Sequence, residues 1–251
     1  MTSPSHDTSA ETGDGAPALP RAAAVVVAAG GSTRMGTAAG ERKPFLRLGG
    51  RTVLEHACAA LVAASGVREL VVVAREDDLE RVRTLAHESS AFGESWSVVA
   101  GGATRTDSVR AGVSATDEAS QLVAIHDAAR PLLRPQVVER ALLCAAERGA
   151  ALVATPVRDT IKRTEGDAAH ATLPREELWA AQTPQVFGRA QLLELLERAR
   201  AAGYTPTDDA ALFERFVGPV PLVEGEPRNF KLTTPEDLRL AAALLEGEDG
   251  P

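Results

Sequence analysis

The amino-acid sequence predicts an α/β fold: a Rossmann-like, mostly parallel sheet with helices on both faces and a protruding β-arm. Three observations carry this expectation. Strand-like apolar runs alternate with helix-like segments from residue 22 to residue 156. The first run, 22–28 (AAAVVVA), is apolar throughout and ends in Gly30-Gly31, as a strand covered on both faces does. The chain has 251 residues, 44% hydrophobic and 25% charged, which is the length and composition of a globular chain with a sizeable core.

The elements follow in order. Thr52-Val53-Leu54-Glu55 is a capping box, in which a threonine hydroxyl and a glutamate three residues later satisfy each other's backbone N–H groups; it opens a helix to about residue 64. Residues 69–74 (ELVVVA) form the second strand, and 76–88 a charged amphipathic helix. Residues 96–100 form a third strand that runs into Gly101-Gly102. A short helix over 106–115, a fourth strand over 121–126 ending at Asp127, a helix over 135–148 and a fifth strand over 150–156 complete the alternation. The pattern then breaks. Residues 157–178 are polar without helical periodicity, and read equally as a β-arm or a surface loop. A strand at 185–187 follows, then a helix over 189–202 with Leu192, Leu195, Leu196 and Ala199 at helical spacing. Thr207 is expected to cap a helix to Phe216, and 220–223 and 229–232 read as short strands. Thr234-Pro235-Glu236-Asp237 places a cap, a first-turn proline and acids at the start of a last helix running to about residue 245. Residues 1–20, rich in Ser, Thr, Gly, Ala and Pro, and 247–251 read as tails around one domain over 21–246, with 157–178 as its arm.

The totals narrow the function classes. A net charge of −8 argues against a nucleic-acid binder and against a polybasic membrane binder. Basic residues nevertheless cluster locally, at Arg34, Arg42, Lys43 and Arg47, at Arg105 and Arg110, at Arg130 and Arg134, and at Lys162 and Arg163. That distribution suits a small anionic ligand, although any single arginine by itself reads first as solvated surface. Cys58 and Cys144 sit in apolar helical patterns and are expected to be buried, reduced thiols. No apolar run approaches a membrane span, and residues 1–20 lack the pattern of a secretory signal, so the expected location is the cytoplasm.

In a parallel sheet, ligands bind beyond the carboxyl ends of the strands. The unusual loops, 29–36, 101–108 and 127–130, all follow strands and are expected to converge on one crevice. The first carries Gly30, Gly31, Arg34 and Gly36, with Lys43-Pro44 following. Glycines allow close backbone approach, successive N–H groups cradle phosphate oxygens, and Arg34 and Lys43 add positive charge. Gly31 and Gly36 have Walker A spacing, but Thr37 and Ala38 stand where Lys and Ser/Thr belong. The dinucleotide pattern G-x-G-x-x-G is absent too, because the glycines are adjacent. Asp127, at a strand end, has the placement of a Mg²⁺ ligand or of a turn cap. His126 beside it reads as a packed strand-end histidine or as a catalytic group. Arg130 reads as a partner of Asp127 or as a brace for its loop. There is no H-E-x-x-H or C-x-x-C, so zinc chemistry is not expected.

The run Ala28-Ala29-Gly30-Gly31, with Arg34-Met35-Gly36 and Lys43-Pro44, resembles the nucleotidyltransferases that activate sugar and polyol phosphates. Gly101-Gly102 with Arg105 and Ser108, the stretch His126 to Pro131 (HDAARP), Pro156 to Thr160 (PVRDT), Trp179 to Gln185, and Asn229-Phe230-Lys231 are together similar to the 2-C-methyl-D-erythritol 4-phosphate cytidylyltransferase family, over about residues 22–245. The resemblance implies transfer of a cytidylyl group from CTP to a polyol phosphate, with pyrophosphate released and Mg²⁺ or another divalent cation as cofactor. It implies that Arg34 and Lys43 stabilise the triphosphate and act catalytically with Arg175 and Lys231. It places Ala28, Ala29, Gly30, Gly31, Gly101, Gly102, Arg105, Ser108, Asp127 and Ala128 at the nucleotide, with Asp127 also at the metal. It gives the polyol phosphate to Thr160, Arg175, Thr183, Thr207 and Lys231, with the arm exchanged across a homodimer. One departure is Ala103, which replaces an acidic residue common after the paired glycines. The chemistry agrees with this residue set. The nucleophile is a phosphate oxygen whose second pKa is about 6, so positioning and charge neutralisation matter more than a strong base.

Two rivals stand beside this reading. A ribitol-phosphate cytidylyltransferase or a molybdopterin guanylyltransferase would share the first loop and differ at the arm and the Lys231 region. A catalytically silent nucleotide-binding regulator would keep the glycines and lose the cations or the carboxylate, all of which are present here.

Overall fold

A computed structural model describes residues 19–30 and 41–247. The expected tails at 1–20 and 247–251 fall mostly outside these residues, as do Gly31, Arg34 and Gly36.

The strands are β1 (Ala22–Val27), β2 (Arg47–Leu48), β3 (Arg51–Thr52), β4 (Val67–Ala74), β5 (Trp96–Ala100), β6 (Leu122–Asp127), β7 (Ala150–Pro156), β8 (Lys162–Glu165), β9 (Ala168–Thr172), β10 (Trp179–Gly188) and β11 (Leu222–Glu224). The helices are α1 (Val53–Val62), α2 (Leu79–Glu88), α3 (Arg105–Ser114), α4 (Pro135–Arg148), α5 (Arg189–Ala201), α6 (Ala210–Phe216) and α7 (Pro235–Glu246). Among the described residues, the centre is a seven-stranded sheet in the order β11-β7-β10-β6-β1-β4-β5. All neighbours in it are parallel except the pairs that β10 makes with β6 and β7.

The apolar first run explains why β1 lies in the middle. Its side chains alternate between faces, and both faces are covered. Ala22, Ala24 and Val26 pack under α1, α2 and α4, while Val25 packs with Val109 and Val113 of α3 and the leucines of α5. Each fully buried valine of this kind contributes roughly 1.5–3 kcal/mol of hydrophobic stabilisation. The capping boxes at Thr52/Glu55, Thr104/Asp107 and Thr234/Asp237 are all formed and fix the starts of α1, α3 and α7. Cys58 is buried, as expected, but Cys144 is only half-buried.

The short β2–β3 pair was not expected either, and the larger differences lie after residue 156. The polar run is a β-hairpin, β8–β9, whose side chains are exposed almost throughout. β10 runs over Trp179–Gly188 rather than 185–187 alone, and its first three residues, which are exposed and carry no alternating pattern, pair with β7. Thr207 does not cap α6, which begins at Ala210 with Asp209 at the N-cap. Asp208 and Gln185 accept from the first N–H groups of α6, at 3.0 Å (Ala211) and 2.8 Å (Ala210), and so take over that task. Residues 229–232 are not a strand. They run beside the loop that follows β6, held by the bond from the Leu232 N–H to the Ala129 carbonyl at 2.8 Å.

Candidate functional site

The described start of the loop after β1, residues 28–30, and the loops that follow β5 and β6 meet beyond the carboxyl ends of these strands. They enclose a crevice of about 430 Å³, completed by Lys43 and Pro44 on one side and Lys231 and Thr233 on the other. Of the residues singled out from the sequence, Ala28, Ala29, Gly30, Lys43, Gly102, Arg105, Ser108, Asp127, Ala128 and Lys231 line it.

Each wall has a local cause. Gly101 and Gly102 turn the chain off β5 against neighbours that leave no room for a side chain. A Cβ on Gly101 would lie 2.5 Å from the Ala29 Cβ, and one on Gly102 would lie 2.3 Å from the Asp107 Cβ. Gly101 therefore packs behind the wall rather than lining it. The Ser108 hydroxyl accepts from the Gly102 N–H at 3.1 Å and donates to the Thr104 carbonyl at 3.0 Å, which ties this loop to α3. The segment bearing Lys43 is pinned by its neighbours. Arg42 pairs with buried Asp78, Glu41 accepts from Arg81 at 2.7 Å, and the Arg81 guanidinium lies 3.9 Å over the Phe45 ring. Lys43 Nζ donates to the Leu232 carbonyl at 2.6 Å, joining the two rims.

The floor is a row of alternating charges. Asp127 Oδ2 accepts from Lys231 Nζ at 2.7 Å, and Asp127 Oδ1 lies 3.4 Å from Arg105 Nη2. Arg105 also pairs with buried Asp209 at 2.8 and 3.1 Å. Burial works to raise the Asp127 carboxyl, but the charges of Arg105 and Lys231 overcome it and hold it down at about 2. Burial opposes the charge on Arg105, and Asp209 outweighs it, so the guanidinium is held firmly ionised. The sequence pattern does not single out Asp209. The available signal was a second carboxylate at Asp208-Asp209 where one suffices to cap a helix.

His126 resolves as a packed strand-end residue. It is fully buried, its Nδ1 lies 2.9 Å from the Thr183 hydroxyl, and its Nε2 lies 3.1 Å from the Arg130 carbonyl. A carbonyl only accepts, so Nε2 carries the proton and the Thr183 hydroxyl donates to Nδ1. Burial pushes the ring down to about 4, so it is neutral at pH 7. Arg130 braces the loop, donating to the Asn229 and Ala181 carbonyls at 2.8 and 3.3 Å.

Four expected substrate residues are placed differently. Thr183 is 4% exposed and does not line the crevice. Its hydroxyl accepts from the Asp127 N–H at 3.1 Å while donating to His126, so it holds the strand end from beneath. Thr207 is exposed and also lies outside the lining, because the helix it was expected to cap starts three residues later. Thr160 and Arg175 share a separate shallow depression on the arm, with Thr172 and Pro174. Within one chain the arm does not bring them to the crevice.

A divalent cation has a limited donor set here. Among the described residues no group of three or more His, Cys, Asp or Glu side chains is placed to hold a metal. One ionised carboxylate facing the crevice does not make an all-protein cage. It does fit Mg²⁺, which is commonly held by one or two carboxylates together with substrate phosphates. No described helix is long and apolar enough to cross a membrane.

Comparison with known proteins agrees with this geometry. Residues 22–247 match the family described as IspD: 2-C-methyl-D-erythritol 4-phosphate cytidylyltransferase. A bifunctional enzyme IspD/IspF from Anaeromyxobacter sp. is 48% identical over 227 residues, which cover 89% of this chain and 57% of that protein, so the chain spans little more than half of that relative. A 2-C-methyl-D-erythritol 4-phosphate cytidylyltransferase from Halalkalibacterium halodurans is 42% identical over 221 residues, covering 88% of this chain and 95% of the relative. The crystal structure of the enzyme of that name from Thermus thermophilus superposes with a TM-score of 0.73 at 37% identity, covering 89% of this chain and 98% of the other. With nearly all of its described residues inside the match, and with Ala28, Gly30, Gly102, Arg105, Ser108 and Asp127 gathered at one crevice, this chain belongs to the 2-C-methyl-D-erythritol 4-phosphate cytidylyltransferase family.

Proposed function

We infer that this chain joins CTP to 2-C-methyl-D-erythritol 4-phosphate, giving the CDP-linked methylerythritol and pyrophosphate, a step of non-mevalonate isoprenoid synthesis. The observation that carries the reading is the meeting of Lys43, Arg105, Asp127 and Lys231 with the glycine-bearing strand ends in one crevice, in a chain of this family. The reaction sets a phosphate oxygen against the α-phosphorus of a triphosphate, so two anions must be held in line while charge accumulates between them. A nucleophile with a second pKa of about 6 is largely ionised at neutral pH and needs no strong base. The crevice accords with that, because its histidine neighbour is buried, neutral and bonded at both ring nitrogens.

In this reading the backbone from Ala28 to Gly31, Gly102 and Ser108 hold the nucleotide, with Gly101 shaping the turn beneath. Lys43, together with Arg34, offsets charge on the triphosphate. Lys231 leaves Asp127 to meet the polyol phosphate. Asp127, with the triphosphate, would hold Mg²⁺, which supplies electrostatic neutralisation of the phosphate oxygens when bound. Thr160 and Arg175 serve the polyol phosphate of a partner subunit. The exposed, coreless hairpin supports an arm that becomes buried only against a second copy, and thus a homodimer. Residues 21–246 form one catalytic domain, and the expected location is the cytoplasm, where CTP is made and used. The test is pyrophosphate release from CTP and Mg²⁺ with each polyol phosphate in turn. Turnover with methylerythritol phosphate well above that with ribitol phosphate is expected, and the reverse order would overturn the assignment.

A further inference from the structure

The loop entering α6 holds a carboxylate that neither capping nor core packing explains. Asp209 occupies the N-cap position, yet its side chain makes no capping bond, and Asp208 and Gln185 do that work. Asp209 is 1% exposed, and both of its oxygens accept from the Arg105 guanidinium. Burying such a pair costs desolvation that the attraction often fails to recover, so stability alone is a weak reason for it. Its geometry is more informative. A two-pronged carboxylate contact fixes the plane and direction of the fork. The same Nη2 that meets Asp209 points on to Asp127 at 3.4 Å, and Asp127 is shared with Lys231. Arg105, Asp127 and Lys231 line the crevice, and Asp209 stands behind them.

We propose that Asp209 is a positioning residue for nucleotide binding, which acts by locking the Arg105 fork. The lock keeps Arg105 from closing fully on Asp127, and so sets how the Asp127 carboxylate is divided between Arg105 and Lys231 at the crevice floor. With the charge of Asp209 removed, Asp127 is the one carboxylate that Arg105 still pairs with among the described residues. The fork then swings toward it and changes both the shape and the charge presented to a triphosphate. This inference rests on the cytidylyltransferase reading.

The test is calorimetric titration of CTP, without polyol phosphate, into the wild type, Asp209→Asn, Arg105→Gln and the double variant. Asp209→Asn is expected to weaken CTP binding roughly tenfold, and to have no further effect in the Arg105→Gln background. Equal CTP affinity in the wild type and Asp209→Asn overturns the proposal, as does an undiminished loss in the Arg105→Gln background. A wild type that binds no CTP would instead sink the cytidylyltransferase reading. If Asp209→Asn does not fold, Arg105→Lys tests the same point, since it keeps the charge and loses the fork. A loss near that of Arg105→Gln supports the proposal, and wild-type affinity overturns it.

Discussion

Replacing Asp127 by asparagine tests the electrostatics of the crevice floor directly. In the folded chain the carboxyl is held at about 2, against an ordinary value of 3.8, because Arg105 and Lys231 outweigh the effect of burial. A difference of roughly 1.8 units at about 1.4 kcal/mol per unit gives ~2.5 kcal/mol of stability at neutral pH. The sign follows from the direction of the shift. A carboxyl with a lowered folded pKa contributes fully above its unfolded value, and the contribution drains as pH falls through the window between about 4 and 2. By pH 3 about half remains. Asparagine preserves the shape, Lys231 is 45% exposed and returns to water, and Arg105 keeps Asp209, so no buried charge is stranded. The assay is chemical denaturation of wild type and Asp127→Asn at pH 7 and pH 3. A gap near 2.5 kcal/mol at pH 7 that roughly halves at pH 3 is expected. No gap at pH 7, or one that widens in acid, would refute the view that these two cations hold Asp127 ionised.

Other expectations concern the crevice rims, the arm and the buried histidine. Lys43→Ala should lower kcat by roughly 10²–10³ with little change in stability, since it removes transition-state charge compensation, and near-normal turnover would remove Lys43 from the mechanism. Arg175→Ala should raise the KM for the polyol phosphate and leave CTP affinity nearly unchanged. Separate titrations of the two ligands check this, and an equal loss for both counts against it. His126 is held at about 4, below its ordinary 6.5, so folding stability is complete above pH 6.5 and declines, by up to roughly 3 kcal/mol, as pH falls toward 4. Denaturation across that range should show a flatter profile for His126→Gln, and a profile parallel to the wild type would contradict the assignment.

The sequence by itself determined the five strands that alternate with helices up to residue 156, the helices with strong caps, and the strand ends that would meet at the site. The apolar run of β1 needs cover on both faces, so it dictates a central parallel strand, and Thr52 and Thr234 set helix starts through bonds only three residues long. Such signals are local, and a local signal survives in the chain order. Only the tertiary structure decided which partners meet across long separations. It gave Thr183 to His126 and Asp127 rather than to the crevice, freed Asp209 from capping to hold Arg105, and set Lys231 against Asp127. It also made residues 229–232 a segment bonded to the loop after β6 instead of a strand. These choices depend on which polar groups the packed sheet leaves buried and in need of partners, and a buried polar group takes its partner from whatever the fold brings near. No pattern along the chain records that neighbour, because it is fixed only when β6, β10 and the α6 loop close on one another.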